Sequence, residues 1–250
     1  MLQSKLSRLA FLPAGFFLLT IPGATLAQGI SGSAHDLATG VGDNNEICVY
    51  CHTPHGARTD IEAPLWNKPA GTASYTTYDS TTIDGDVLAV GSVSIACLSC
   101  HDGTQARDAV INAPGSGLGT SPLGTLGPMP GTVVANLSED LTNDHPIGIQ
   151  YGGFDPGTGQ VDPDFKNTTN GLNSATILGR LRWWVDTEAP GNGTRNKTDM
   201  ILYTRDNGGS DQPFVECASC HDPHRGTGTD PAFMRISNTG SAVCLSCHVK

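Results

Sequence analysis

The chain has few aromatic and few charged residues, and its basic residues are scarce compared with its acidic ones. Among 250 residues, aromatic residues make up 6% and charged residues 15%, with 14 Lys and Arg against 24 Asp and Glu. An acidic surface argues against nucleic acid or an anionic membrane as a partner. Loop formers are abundant, with 31 glycines and 16 prolines. Such a chain has difficulty burying enough core by itself, so we expect a bound group to fill its centre.

No long hydrophobic run follows residue 27, and the run before it is broken. Residues 9–23 are apolar but interrupted by two prolines and a glycine, so they are too short and irregular for a comfortable membrane span. Two basic residues precede them, and small residues lead to Ala27. This pattern predicts a signal peptide at 1–27 and an exported mature chain at 28–250. Because the leader holds two basic and no acidic residues, the formal charge changes from −10 to −12 on cleavage.

The chain has no cysteine outside one repeated pattern. Each of its eight cysteines belongs to one of four C-x-x-C-H motifs, CVYCH (48–52), CLSCH (97–101), CASCH (217–221) and CLSCH (244–248). On a helical turn, positions i and i+3 share a face, so both thiols reach the two vinyl groups on one edge of a haem. The following histidine then binds the iron from the same turn. This spacing is the attachment signature of c-type haem.

Zinc and disulfide chemistry explain the motifs less well. A zinc site needs C-x-x-C pairs without an obligatory histidine, and disulfides give no reason for a histidine after every second cysteine. We therefore predict thioether attachment and proximal iron ligation. The predicted attachment residues are Cys48, Cys51, Cys97, Cys100, Cys217, Cys220, Cys244 and Cys247, and the predicted proximal ligands are His52, His101, His221 and His248.

The number of histidines equals the number that four six-coordinate haems need. Of eight histidines, four are proximal, and the other four are predicted distal ligands: His35, His55, His145 and His224. A methionine in place of a distal histidine would raise the potential of that haem, but the three mature methionines are interpreted as packing residues (Met129, Met200 and Met234). We therefore predict four covalently bound haem c groups with bis-His ligation. His248 lies two residues before the end of the sequence, so a small truncation there is expected to remove a haem.

A second histidine follows two of the motifs after three residues, in CHTPH and CHDPH. His224 cannot easily bind the same iron as His221, because axial ligands approach opposite faces of a haem. Residues three apart on a tight turn lie on one side, and the same holds for His55 and His52. The proline before each second histidine fixes φ and stiffens the turn. We therefore predict that each segment holds two neighbouring haems in close contact, an arrangement for electron transfer.

The remainder of the chain has few signals of regular structure. Residues 112–131 contain six glycines and four prolines and predict an irregular connection between 28–111, which attaches two haems, and 217–248, which attaches two more. The stretch DMILYT (199–204) predicts a short strand. We predict a single loop-rich multihaem cytochrome domain, with short helices around the motifs, a few short strands and a core built largely by four stacked haems.

Two adjacent tryptophans, Trp183 and Trp184, follow an apolar stretch in the part of the chain without cysteine. Their rings could pack on haem edges or form an ordinary local core. We favour the local core.

Several stretches around the motifs resemble a known family. These are APLWN (63–67), YTTYDS (75–80), CLSCHDG (97–103), NDHPIG (143–148), VECASCHDPH (215–224) and FMRISNTGSAVCLSCH (233–248). They resemble the multihaem cytochromes with paired C-x-x-C-H motifs, and with four haems the chain is most similar to the OmcE-type tetrahaem cytochromes. The resemblance covers nearly all of the mature chain. The motifs are specific as a set, since C-x-x-C-H alone does not distinguish families.

The resemblance implies an extracellular filament in which bis-His haems form a continuous chain. It also implies that one distal histidine comes from the adjacent subunit. His35 lies 13 residues before the first motif cysteine, on a short N-terminal arm that could reach a neighbour, and we expect it to be the donated ligand. Other redox proteins or extracellular acceptors are the further expected partners.

Three alternatives to the filament stay open. A monomeric periplasmic shuttle needs all four distal ligands from its own chain, and the sequence permits this. A multihaem reductase needs an open iron or an unusual proximal ligand, whereas here every motif ends in histidine and distal histidines suffice, so we expect no enzyme. A filament in which haems serve only as structural staples requires haems too far apart to exchange electrons, which the C-x-x-C-H-x-P-H segments argue against.

Overall fold

A computed structural model of the chain describes residues 29–38, 46–113, 126–188, 190–225 and 232–249. The predicted signal peptide and most of the predicted irregular connection lie outside these residues. Within them, the α-helices are α1 (Ser92–His101), α2 (Cys217–Cys220) and α3 (Ala242–Cys247), and 3-10 helices span Ile47–Tyr50, Tyr151–Gly153 and Thr239–Ser241. The strands are β1 (Thr76–Thr77), β2 (Asp140–Leu141), β3 (Ile149–Gln150), β4 (Leu172–Ile177), β5 (Arg180–Val185), β6 (Met200–Asn207) and β7 (Ser210–Val215).

Each C-x-x-C-H motif lies on a short helix, as predicted. The first coincides with the 3-10 helix at Ile47–Tyr50, and the others occupy α1, α2 and α3. A backbone hydrogen bond from the motif histidine to the first motif cysteine closes the turn, for example from His52 to Cys48 at 2.8 Å. Both cysteines and the histidine therefore project from one turn of the chain.

The largest element is a five-stranded antiparallel sheet in the order β3-β7-β6-β5-β4. The predicted strand at 199–204 is confirmed as part of β6. It pairs with β7 through a hairpin whose two turn residues, Gly208 and Gly209, have φ of 66° and 87°. A two-residue turn with positive φ at both positions matches the twist of antiparallel strands. The sheet is larger than the few short strands that the sequence predicted.

One face of the sheet has its own apolar core. It comprises Tyr151, Phe154, Leu172, Trp183, Val185, Met200 and Leu202. Trp183 belongs to this cluster, which confirms the local-core interpretation for that residue. Trp184 is also buried and donates its indole hydrogen to Asp186 at 3.1 Å. Met200 is fully buried in the same cluster, as expected of a packing residue. Part of the core therefore consists of side chains alone.

Leu202→Ala should destabilise the protein strongly, because Leu202 is 2% exposed inside this cluster. Large-to-small substitutions in a core cost about 2–5 kcal/mol through lost transfer energy and the cavity left behind. The matched control is Leu178→Ala in the β4–β5 hairpin, where the side chain is 99% exposed and the expected change is within about 0.5 kcal/mol. Denaturant unfolding of both variants, followed by far-UV circular dichroism, measures the difference. Equal midpoints would show that the cluster contributes little to stability.

The parts of 112–131 that the structure describes, at 112–113 and 126–131, contain no helix or strand. In these described residues, the one β-bridge is an isolated antiparallel bridge between Pro128 and Ala106. Among the described residues, the helices are all too short or too polar to cross a membrane.

Candidate haem-binding sites

Burial disfavours the charged thiolate form of several motif cysteines. Burial raises the pKa of Cys51 and of Cys220 to about 11, and that of Cys247 to about 12. A reactive or zinc-binding cysteine instead requires a stabilised thiolate. Within the described residues, no group of three or more His, Cys, Asp and Glu side chains converges to hold a metal ion. The thiols suit thioether attachment, in which the sulfur carries no charge.

The imidazoles of the motif histidines are oriented by backbone carbonyls. The Nδ1 atom of His52 lies 2.6 Å from the Pro64 carbonyl oxygen, that of His101 lies 2.7 Å from Ala135, and that of His221 lies 2.5 Å from Ala232. A histidine that donates Nδ1–H to a carbonyl presents Nε2 as the ligand atom, and this second contact is characteristic of metal-binding histidines. The fourth motif histidine, His248, packs its ring 4.5 Å from that of Phe165.

Two pairs of imidazoles have the centroid separation that two axial ligands of one iron would have. The ring centroids of His52 and His224 are 6.0 Å apart, and those of His35 and His101 are also 6.0 Å apart. Two imidazoles that bind one metal ion through bonds of about 2 Å have centroids about 6 Å apart. Each pair joins one motif histidine to one of the four predicted distal ligands, and their ring planes meet at 15° and 82° respectively.

His224 is held by a carboxylate from its own segment. Its Nδ1 atom lies 3.4 Å from Asp222, whose pKa is lowered to about 2 by this contact. Arg235 lies 3.9 Å from the other oxygen of the same carboxylate. The carboxylate orients the imidazole as second-shell groups do in metal sites. The sequence predicted that His224 would bind the iron of a neighbouring haem, and the structure places its ring opposite the histidine of the first motif.

His35 packs inside its own chain. Its ring stacks on Phe233 with centroids 4.2 Å apart. Burial, followed by the neighbouring His101, lowers the pKa of His35, which favours the neutral imidazole that binds iron. The sequence placed His35 on an arm reaching an adjacent subunit. In this single chain, His35 lies against the second motif, where it packs on the ring of Phe233 and near the backbone of Pro223. Donation of His35 to an adjacent subunit stays a prediction.

The two other predicted distal ligands lie on the surface. His55 is exposed, and its carbonyl accepts hydrogen bonds from Thr53 and Asn112. His145 is exposed too, with Nδ1 3.0 Å from the carbonyl oxygen of Pro146. The structure does not bring either ring into contact with a motif histidine among the described residues.

The second and third motifs meet at a buried polar junction that the sequence analysis missed. The thiols of Cys97 and Cys217 are hydrogen-bonded to each other. Glu216, fully buried, accepts a hydrogen bond of 2.5 Å from Ser94 on α1 and pairs with Arg205 at 3.2 Å. Burial raises the pKa of Glu216 to about 7. The only sequence signal was the E-x-x-S capping box at the start of α2, which the structure contains.

The residues around the first motif leave room for a large flat group. A cleft of about 430 Å³ is lined by Glu46, Ile47, Cys48, Val49, His52 and Pro54. It contains one attachment thiol and the proximal imidazole, and its remaining lining is largely apolar. The thiol and imidazole donors, the orientation of His52 and the open volume are therefore all compatible with a covalently attached haem.

Comparison with known proteins supports the same chemistry. The family model of the doubled CXXCH motif matches residues 212–250, which contain the third and fourth motifs. No curated protein matches the chain. The paired motifs indicate covalently bound haem c and suggest a multihaem cytochrome in electron transfer. The motif match, the raised pKa values of Cys51, Cys220 and Cys247, and the carbonyl-oriented histidines together support a multihaem c-type cytochrome.

Proposed function

We propose that the protein carries four haem c groups with bis-His ligation and conducts electrons along them in an extracellular filament. The observation that carries the proposal is the pair of imidazole contacts at 6.0 Å, each between a motif histidine and a histidine from a distant segment. In this assignment His52 and His224 hold the first haem, and His101 and His35 hold the second. Haem supplies a one-electron carrier, and the chain supplies its ligands and its surroundings.

The placement of the motifs favours short steps between haems. Thiols of successive motifs lie close enough for a charge on one to raise the pKa of the other. The pairs are Cys51–Cys100, Cys97–Cys217 and Cys220–Cys244. The segment at 221–224 also links two sites, since His221 belongs to the third motif and His224 faces the first. A continuous series of haems is the arrangement that these neighbours support.

We expect no catalysis. An enzyme that reduces a small molecule at haem needs an iron with an open position, whereas six-coordinate bis-His irons exchange electrons without binding a substrate. The eight histidines suffice for four irons. A five-coordinate, high-spin haem in the mature protein would contradict this expectation.

The filament assignment rests on the resemblance to OmcE-type cytochromes and on two exposed histidines. Because His35 lies against His101 of its own chain, we propose that the ligand donated to an adjacent subunit is His55 or His145, both of which reach the surface. The intrachain position of His35 also favours the second candidate, a monomeric periplasmic shuttle. If His35 binds the iron of its own second motif, that haem needs no ligand from a neighbouring chain.

Electron microscopy of the haem-loaded mature protein, isolated from outside the producing cell, distinguishes the two candidates. We expect thin filaments with a regular subunit repeat, and at high resolution the density would show which histidine crosses the interface. Discrete particles of a single chain at all concentrations would instead establish the shuttle, with all eight histidines serving their own chain.

A further inference from the structure

Lys68 is a fully buried lysine in a loop between the first two motifs. Its side chain is 0% exposed. The ammonium group donates hydrogen bonds to the carbonyl oxygens of Arg107 and Ala109, the latter at 2.9 Å. Carbonyl oxygens satisfy two of its three protons but carry no full negative charge. Burial of a charge without a counter-charge is costly, so a lysine retained in such a place calls for an explanation.

No carboxylate forms an ion pair with Lys68 in the part of the chain that the structure describes. Asp108 lies between the two residues whose carbonyl oxygens accept hydrogen bonds from Lys68, and it is itself buried. One oxygen of Asp108 accepts the N–H of Leu126 at 3.1 Å, and the carboxylate is more than an ion-pair distance from the ammonium group. The Lys68 ammonium group is therefore buried without an ion-pair partner among the described residues.

The position of Lys68 is fixed between the first and second haem motifs. The preceding residue, Asn67, donates its backbone N–H to the carbonyl of Cys51 at 2.8 Å and its side-chain amide to the carbonyl of Val49 at 2.7 Å. On the other side, Arg107 and Ala109 follow the second motif by a few residues.

We propose that Lys68 raises the reduction potentials of the haems attached at the first and second motifs above those of the other two. An electron added to a haem brings negative charge, which a nearby buried cation stabilises because the interior screens it weakly. The inference deepens the proposed function and rests on haem attachment at both motifs. It makes this end of the haem series the place where an electron resides most stably.

The cations near the other motifs are compensated or screened. Arg205, at the junction of the second and third motifs, pairs with Glu216 at 3.2 Å, and Arg235, near Cys220, lies 3.9 Å from Asp222. Lys166, near Cys247, is only half-buried, so water screens its charge. Among the described residues, Lys68 is therefore the fully buried cation without an ion-pair partner beside the attachment thiols.

Lys68→Gln removes the charge while its amide can still donate to one of the same carbonyls. Spectroscopic redox titration of the haem-loaded protein should show two of the haems shifted to lower potential. The expected shift is an at least tenfold change in their ratio of reduced to oxidised form, about 59 mV for a one-electron couple. Lys68→Arg, which keeps the charge, should leave the titration near that of the wild type. The matched control is Lys197→Gln, which makes the same change at an exposed lysine.

A second variant has the opposite expected sign. Asp108→Asn removes a buried negative charge beside the same segment and should raise the potentials of the same two haems, while its amide oxygen can still accept the N–H of Leu126. The pyridine haemochrome ratio of haem to protein is measured for every variant. An unchanged titration in fully loaded Lys68→Gln, or an equal shift of all haems, overturns the role of Lys68. Wild-type protein lacking haem at the first two motifs would instead refute the proposed function.

Discussion

His224→Ala should convert the haem of the first motif from six-coordinate, low-spin iron to five-coordinate, high-spin iron. The ring of His224 lies 6.0 Å from that of His52, and in the proposed assignment no other histidine serves the opposite face of that haem. The open position should bind carbon monoxide, so about one haem in four responds. Resonance Raman spectra of the ferric protein and a carbon monoxide titration of the reduced protein measure the change.

Two variants separate loss of the ligand from loss of the fold. His224→Met keeps a ligand at the same place and should leave the iron low-spin while raising the potential of that haem, because Met/His ligation favours the reduced state. Asp222→Asn keeps the imidazole but weakens the contact that orients it at 3.4 Å. A His224→Ala protein that stays fully low-spin and binds no carbon monoxide contradicts the pairing of His224 with His52.

The local features of the site were predictable from sequence, because they depend on neighbouring residues. The spacing of C-x-x-C-H sets both thiols and the histidine on one turn, and each motif lies on a short helix. The CHDPH segment predicted that His224 turns away from the iron of His221. In the structure, the ring of His224 faces His52. These inferences need only the geometry of a few consecutive residues.

The long-range features were not predictable in the same way. The pairing of His52 with His224 joins residues 172 positions apart, and no local pattern encodes it. The placement of His35 depends on Phe233, and the centroids of the two rings are 4.2 Å apart. Phe233 lies in a stretch that carries the family resemblance, but no local pattern there indicates a contact with the N-terminal arm. The buried junction of Glu216 with Ser94 and Arg205 also unites three separate segments.

The sheet shows a different limit. The strand β6 was recognised from its apolar and β-branched residues, whereas half of the residues of β4 are polar and its middle is exposed. The strand β4 is extended because it pairs with β5, and its own composition does not indicate a strand. The Gly208-Gly209 turn was the available sequence signal for the β6–β7 hairpin. The core under this sheet reduces the share of stabilisation that bound haem has to supply.

His35→Ala should produce a high-spin second haem in dispersed single chains, because the structure places His35 opposite His101 in the same chain. The wild-type protein, dispersed to single chains, should keep that haem low-spin. His145→Ala is the matched control, since it removes an exposed histidine that contacts no motif histidine in the described residues. In single chains it should leave the second haem unchanged. The measurement is the high-spin fraction by electron paramagnetic resonance at increasing dilution.

The result distinguishes a ligand supplied within the chain from one supplied by a neighbour. If His35 serves an adjacent subunit, dispersed wild-type chains already contain a high-spin haem, and His35→Ala changes nothing further in them. If His35 serves its own chain, the variant loses a ligand whatever the assembly state, and filament formation depends on a different residue. The next variants are then His55→Ala and His145→Ala, at the two exposed histidines. The histidine that crosses the interface is the one whose removal both disperses the filaments and leaves a five-coordinate iron.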